Sequence, residues 1–530
     1  MNEDIIAKGI AGGWQLIDAA IMDKDLTLEA DVVVIGSGAG GGTTAEILSN
    51  AGLKVLIVEE GRLHYQKHFK MDEAFSYPRL YQEGMSRVTA DGAIAIMQGR
   101  TVGGSTTVNW TSSFRTPEQT LDYWTSQIGL TGFSSEEMAP WFDNRERRLN
   151  IEKWLTPPNE NNAILARGCA NLGWSSEIIP RNVKACWNLG YCGVGCPTNA
   201  KQSMLVTTIP GALDNAASLL FGARADHIEY RQGKAVTLTC TALDADALAP
   251  TGKKISIKAG HFVVSASAIG SPGLLLRSDT PDPYDRIGKR TFLHPVNATV
   301  AVMPQTVDPY YGAPQSVYSD EFVWKHGTTG EMGFKLEVPP LHPGLGAAVL
   351  GMHGSELASA MKQLPHTNAV LALLRDGFHE DSPGGTVSLR DDGSPVLDYP
   401  LTDYLWRGLR DAYLKMAEVQ FAAGALQVKL LHLDAPAYRS WAEAKVAISE
   451  LPMQAHRVKL FTAHQMGGCA MGEDPRTSVV NSLGEHHHVS NLHVIDGSTF
   501  PTSIGANPQL SIYAMAAMQA THLAERLKKA

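Results

Sequence analysis

The sequence predicts a mixed α/β fold, and three observations carry that prediction. The first is a strand-helix-strand stretch near the start, "DVVVIGSGAGGGTTAEILSNAGLKVLIVEEG". The second is a middle region of alternating residues, "AVTLTCTAL" and "KKISIKA", that feeds the apolar run "FVVSAS". The third is a closing strand over Leu492 to Ile495, followed by a helix that starts after Asn507.

Taken in order, Val32 to Ile35 reads as a buried parallel strand, Gly40 to Asn50 as a helix closed by Ala51-Gly52, and Lys54 to Val58 as the returning strand. The turn holds Gly36, Gly38 and Gly41 in a GxGxxG pattern. Gly36 permits the sharp turn, Gly38 lets backbone approach a pyrophosphate, and Gly41 lets helix and strand pack closely. Glu59 ends the second strand, where an acidic side chain can accept hydrogen bonds from ribose hydroxyls. Glycine turn, helix and acid together point to a Rossmann-like dinucleotide grip, with phosphates at the positive end of the helix. This segment leaves open whether the dinucleotide is FAD or a nicotinamide.

The middle region, 228 to 264, reads as a hairpin or meander around "APTGK". Between 294 and 454, "TVAVMPQTV" and "GTVSLR" suggest an antiparallel sheet. At the end, Asn507 at a helix cap and Pro508 at the first helical position are both favoured there.

A chain of 530 residues with 44% hydrophobic and 19% charged residues has ordinary globular composition and calls for two large domains. Its net charge of -9 argues against nucleic acid or an anionic membrane surface as partner, and favours a small neutral substrate. No apolar run reaches the roughly 18 residues of a membrane-spanning helix, and no export signal is readable at the amino terminus, so the cytoplasm is expected. There the six cysteines are expected as thiols or ligands and not as a disulfide framework. The run His486-His487-His488 cannot turn three rings toward one ion on a strand, and reads as a polar surface turn.

The glycine turn, "GRTVGGSTTVNW" (99 to 110), "SASAIGSPGLLLRS" (265 to 278) and the "H...MG...VIDGS...NPQL" ending occur in an order that resembles the glucose-methanol-choline (GMC) oxidoreductase family. One departure is "DTPDPYDRIG" after Ser278, where the family usually continues Ser-Gly-Ile-Gly. "KQSM" and "IGKRTFLHPV" look most like long-chain alcohol oxidases and related bacterial alcohol dehydrogenases, which hints at an apolar alcohol.

The resemblance implies a discontinuous FAD-binding domain (1–150, 200–293 and 455–530) and a substrate domain (151–199 and 294–454). It implies FAD held by Gly36, Gly38, Gly41, Glu59 and the backbone of Ala225 at the ADP half. Arg100, Gly103, Gly104 and Asn109 would line the flavin half, and Asp496 and Gly497 would meet the pyrophosphate or ribityl chain. Pro508 would open a helix whose positive end faces the flavin. Val108 stands where some members carry a tethering histidine, so non-covalent FAD is expected. His464 and Asn507 occupy the positions of the reacting pair: His464 as proton acceptor in oxidising an alcohol to a carbonyl, Asn507 as the group orienting the hydroxyl. A flavin-containing lyase of the same fold and a non-catalytic flavin-binding subunit are the alternatives.

Cys186, Cys192 and Cys196 follow Cys-x5-Cys-x3-Cys within the loop 186–200. Three readings stand: an iron-sulfur cluster, zinc, or buried thiols in a tight loop. A cluster would pass electrons to a partner subunit or quinone.

Overall fold

Unbroken apolar runs at Val32 to Ile35 and Val55 to Val58 suit strands covered on both faces, and these residues are at most 3% exposed. The structure, a computed structural model, describes residues 4–529. Its first sheet contains β1 (Gln15–Asp18), β2 (Leu26–Ile35), β3 (Val55–Glu59), β4 (Ser218–Phe221), β5 (Ala223–Arg231), β6 (Lys234–Leu243) and β7 (Pro250–Val264). The spatial order is β1-β4-β3-β2-β7-β6-β5. From β1 through β7 the pairs are parallel; β7-β6 and β6-β5 are antiparallel.

The long strand β7 does two jobs. Its first half pairs with β6, and its last three residues pair with the short parallel strand Leu492–Val494. That pairing carries the end of the chain back beside the glycine turn. The expected meander is present, although the turn between β6 and β7 falls over 244–249, ahead of "TGK".

The second sheet is built on β8 (Val296–Val302), β9 (Val317–Ser319), β10 (Phe334–Glu337), β11 (Thr367–Leu374) and β12 (Gln427–Leu430), in the order β12-β8-β11-β10-β9, antiparallel throughout. Helices Glu160–Leu172 and Asp403–Ala422 pack with it around a second core. Two short strands from elsewhere, Ile94–Ile96 and Leu460–Thr462, pair with each other, and Phe461 pairs with Val296 of β8. They place the segment just before His464 against the antiparallel sheet. "GTVSLR" does not join this sheet: Thr386–Leu389 forms a separate hairpin with Pro395–Asp398. Among the described residues no helix is long and apolar enough to cross a membrane.

Candidate active site

A cavity of about 870 Å³ runs between the two sheets. Its volume lies within the range of cofactor and ligand sites. Gly36, Gly38, Glu59 and Ala225 line one end; Asp496 and Gly497 line the wall beside the closing segment; Asn109, His464, Asn507 and Pro508 line the other end.

At the glycine turn each small residue answers to a neighbour. Gly36 has φ +104, and a Cβ there would collide with the carbonyl of Ser265. A Cβ on Gly41 would strike the carbonyl of Gly36, the close packing its place in the pattern predicts. The helix Ala39–Asn50 has no side-chain cap, so its first N–H groups, which lack intrahelical acceptors, open on the cavity. Gly40, which the pattern leaves as any residue, is also required to be small: a Cβ there would lie 2.9 Å from Cα of Asp496.

Glu59 is buried and already engaged. Its Oε2 accepts from the Ser37 amide (3.1 Å) and hydroxyl (2.5 Å), and Oε1 accepts from Gly61 N (2.8 Å). Burial pushes its pKa up, against those three bonds. Gly103 N in turn donates to Ser37 Oγ at 3.0 Å. Gly103 itself is behind the wall; Gly104 is the one that faces the cavity, its Cα region against Gly38. Arg100 reaches the Glu59 end, where it pairs with Glu60 at 3.0 Å and bonds the Ala247 carbonyl; its Nε is buried without a partner.

Asp496 ties the closing segment to the wall. Its Oδ2 accepts from Ser267 N (2.8 Å) and Ser271 Oγ (2.6 Å), and Oδ1 from Ser498 N (2.8 Å). Burial raises its pKa despite these donors. Ala225 gives its carbonyl to Arg277 (3.0 Å).

At the far end, Asn507 does not cap the closing helix. That helix is Gln509–Lys529, and the carbonyl of Pro508 accepts its first bond, from Ile512 N at 3.0 Å. Asn507 stands one residue earlier and donates Nδ2 to Glu337 Oε2 at 3.1 Å; its Oδ1 is buried without a partner. Glu337 lies on β10, fully buried, and burial raises its pKa to about 7 even with Lys335 nearby. Gln509, which motif reading passed over, bridges the walls. It accepts from Asn109 Nδ2 (2.6 Å) and Tyr513 OH (3.0 Å) and donates to Ser112 O (2.6 Å).

His464 is half-buried, and the desolvation of its ring lowers its pKa to about 4 and keeps it neutral near pH 7. Its Nδ1 lies 3.4 Å from Nδ1 of His294, and Nε2 of His294 accepts from Gly505 N at 3.1 Å. The backbone of His294 is held with φ +45 by Asp376, whose carboxylate accepts from Leu293 N (2.9 Å) and His294 N (3.1 Å). A left-handed histidine clamped by a buried carboxylate is a strained residue of the kind that clusters at functional sites. It lies within "IGKRTFLHPV", a segment whose resemblance bears on the substrate class and assigns this histidine no role.

The cysteine loop requires a correction. Cys186, Cys192 and Cys196 are free and half-buried, and among the described residues no group of three or more His, Cys, Asp or Glu side chains is placed to hold a metal ion. Each thiol has its own neighbour: Cys186 accepts from Asn188 N (3.4 Å), Cys192 faces Arg181 Nη2 (3.7 Å), and Cys196 faces Thr198 Oγ1 (3.5 Å). The loop is instead fastened to the cavity wall. Lys201 donates to both Asn109 O and Cys192 O at 2.8 Å, and Tyr81 OH donates to Gly193 O at 2.6 Å. Gly195 is needed because a Cβ there would enter the ring of Phe69. The iron-sulfur assignment of Cys186, Cys192 and Cys196, and the electron-draining partner that depended on it, are therefore not carried forward. His486 is likewise buried, not part of a surface turn.

A largely parallel sheet with a glycine turn at the end of its central strand, sharing a cavity with an antiparallel sheet, defines a two-sheet α/β protein with a Rossmann-like nucleotide fold. The chain belongs to the GMC oxidoreductase family: the family's two models match residues 77–296 and 381–516. A long-chain-alcohol oxidase of Arabidopsis thaliana is 28% identical over 531 residues, covering 96% of this chain and 70% of that protein. A GMC-type oxidoreductase of Mycobacterium tuberculosis is 31% identical over 527 residues, covering 97% and 80%. Among solved structures, pyridoxine 4-oxidase from Mesorbium loti superposes with a TM-score of 0.68 at 16% identity, covering 93% of this chain and 98% of that one. Formate oxidase of Aspergillus oryzae gives 0.69 at 14%, covering 95% and 99%.

Proposed function

We propose that this chain is an FAD-dependent alcohol oxidoreductase that converts CH–OH to an aldehyde or ketone. The observation that carries the reading is the single cavity that joins the glycine turn and Glu59 to His464 and Asn507. The residues fit FAD: uncapped helix N–H groups face the cavity for the phosphates, Glu59 for the ribose, and the Gly38–Gly104 contact leaves a surface with no side chain. Val108 offers no atom for a covalent tether. The FAD-binding unit is proposed as 1–150, 200–293 and 455–530, apart from the strands Ile94–Ile96 and Leu460–Thr462, which pair into the other sheet. Bound FAD would supply the acceptor for the carbinol hydride.

The chain's own residues handle the hydroxyl. Asn507, its Nδ2 committed to Glu337, offers Oδ1 as the acceptor that orients the O–H. His464, neutral through desolvation of its ring, is the proton acceptor. With Gly505 donating to Nε2, neutral His294 carries its proton on Nδ1 and directs it at Nδ1 of His464. The resting proton of His464 is then on Nε2, so His464 takes the substrate's proton only in its other tautomer, with that proton moved to Nδ1 and the His294 N–H no longer donating there; His294 thereby governs the change. The names of the alcohol-oxidising relatives support the substrate class. The test is anaerobic addition of primary alcohols to the purified flavoprotein: bleaching of the flavin bands is expected, and its absence with every alcohol tried would refute the reading.

A further inference from the structure

The cysteine loop 186–200 has no part in the chemistry above, yet the charge around it is one-sided. Two cations are buried against it: Arg181 is 0% exposed and Lys201 2%. Arg181 donates Nε to Thr111 Oγ1 at 2.8 Å, lies 4.8 Å from the ring centre of Trp154 and points Nη2 at Sγ of Cys192, 3.7 Å away. Its remaining nitrogen, Nη1, is buried without a partner. Lys201 directs its bonds to two carbonyls, Asn109 O and Cys192 O, both at 2.8 Å. Among the described residues neither cation is paired with a carboxylate.

A buried guanidinium with an unused N–H is costly unless an anion completes it. The atom placed to carry that negative charge is Sγ of Cys192, on a residue that is half-buried and so partly open to solvent. The other two thiols of the loop bond only to neutral groups, Cys186 to Asn188 N (3.4 Å) and Cys196 to Thr198 Oγ1 (3.5 Å). Three thiols of similar exposure thus differ in one respect, the cation that faces Cys192.

We propose that Cys192 is a peroxide-reactive thiol, oxidised to a sulfenate that Arg181 holds. With its proton lost to solvent, the sulfur attacks one oxygen of hydrogen peroxide. The S–O bond forms as the O–O bond breaks, sulfur loses two electrons, and the departing hydroxide takes the new S–OH proton and leaves as water. Arg181 acts on both sides of the step. Its charge stabilises the anion that attacks, and its unused Nη1 supplies a charge-assisted hydrogen bond to the added oxygen. The site is tied to the cavity: Lys201 holds Cys192 O and Asn109 O together, Tyr81 OH holds Gly193 O (2.6 Å), and Asn109 and Tyr81 both line the cavity. The modified side chain would therefore share a lysine with the cavity wall. None of this depends on the alcohol-oxidation reading, because the oxidant is added from outside.

The experiment treats the flavin-loaded full chain, without alcohol, with hydrogen peroxide and a 1,3-dione that traps sulfenate. Peptide mass spectrometry then maps the adduct on Cys186, Cys192 and Cys196. Cys192 is expected to label roughly tenfold faster than either of the others. In the chain unfolded by urea that preference should vanish, since it comes from the fold and not from the neighbouring sequence. Arg181→Met should lower the labelling of Cys192 roughly tenfold and leave Cys186 and Cys196 within about twofold. Lys201→Met should act in the same direction and serves if Arg181→Met does not fold; the comparison of the three thiols in the wild type needs no variant. Equal labelling of the three thiols in the folded protein, a preference for Cys192 that survives in urea, or labelling of Cys192 that neither substitution changes overturns the proposal.

Discussion

Asn507 donates its amide to Oε2 of Glu337 at 3.1 Å, and that bond decides which of its atoms meets the substrate. With Nδ2 occupied, the buried and unpartnered Oδ1 is what remains for a hydroxyl proton. Asn507→Ala should therefore slow anaerobic flavin reduction roughly tenfold to a hundredfold, as expected for losing a buried hydrogen bond and leaving Glu337 short of its donor. Stopped-flow reduction with a saturating alcohol measures it; a rate within twofold of wild type would remove Asn507 from the site.

Glu337 carries a pH signature. Burial raises its pKa from 4.5 to about 7, so the native state binds this proton more tightly than the unfolded chain does. Between these values stability falls as pH rises, and above pH 7 the cost is complete, on the order of 3 kcal/mol. Glu337→Gln should flatten the dependence of Tm on pH across that window and melt higher than wild type at pH 8. Parallel curves for the two proteins would contradict the assignment.

His464→Ala should retain FAD, because no predicted FAD contact is lost, yet reduce flavin some hundredfold to ten-thousandfold more slowly. The visible spectrum before alcohol is added checks retention, and the bleaching rate checks the role. An unchanged rate would end the case for His464 as proton acceptor.

His294→Phe separates two uses of His464. Without the N–H that holds the resting tautomer, His464 is free to present a bare Nε2, and the reduction rate per bound flavin should hold or rise near pH 7. A fall of tenfold or more, in a variant with wild-type flavin content, would mean that His464 serves as a hydrogen-bond donor to the substrate oxygen. Gly505 N loses its acceptor in this variant, so a Tm lower by a few degrees is expected.

Gly104→Ala tests the cofactor surface. The residue has φ +54, and a Cβ would stand 2.8 Å from Cα of Gly38. The variant should purify with much less FAD, measured as the ratio of absorbance at 450 and 280 nm. Full flavin content would show that this contact is not part of the cradle.

The nucleotide end of the site was legible because its requirements are local. Gly36, Gly38, Gly41 and Glu59 lie within one strand-helix-strand unit, where spacing alone sets geometry, and the structure places three of the four on the cavity with Gly41 packed behind. His464 and Asn507 were legible only through resemblance, since nothing near either one in the chain announces chemistry.

What the sequence by itself determined is therefore the apolar runs, the glycine turn and the alternation that commit the chain to two kinds of sheet. Only the tertiary structure decided the partners of the reacting pair. Glu337 comes from a strand and His294 from a strained loop, each 170 residues from the residue it partners, and a buried polar group is satisfied by whatever the fold brings within hydrogen-bond reach. The same reason explains the cysteines. Their spacing permits a ligand set, but where three thiols point depends on the wall they pack against, and here Lys201 and Tyr81 fasten that loop to the cavity through its backbone carbonyls.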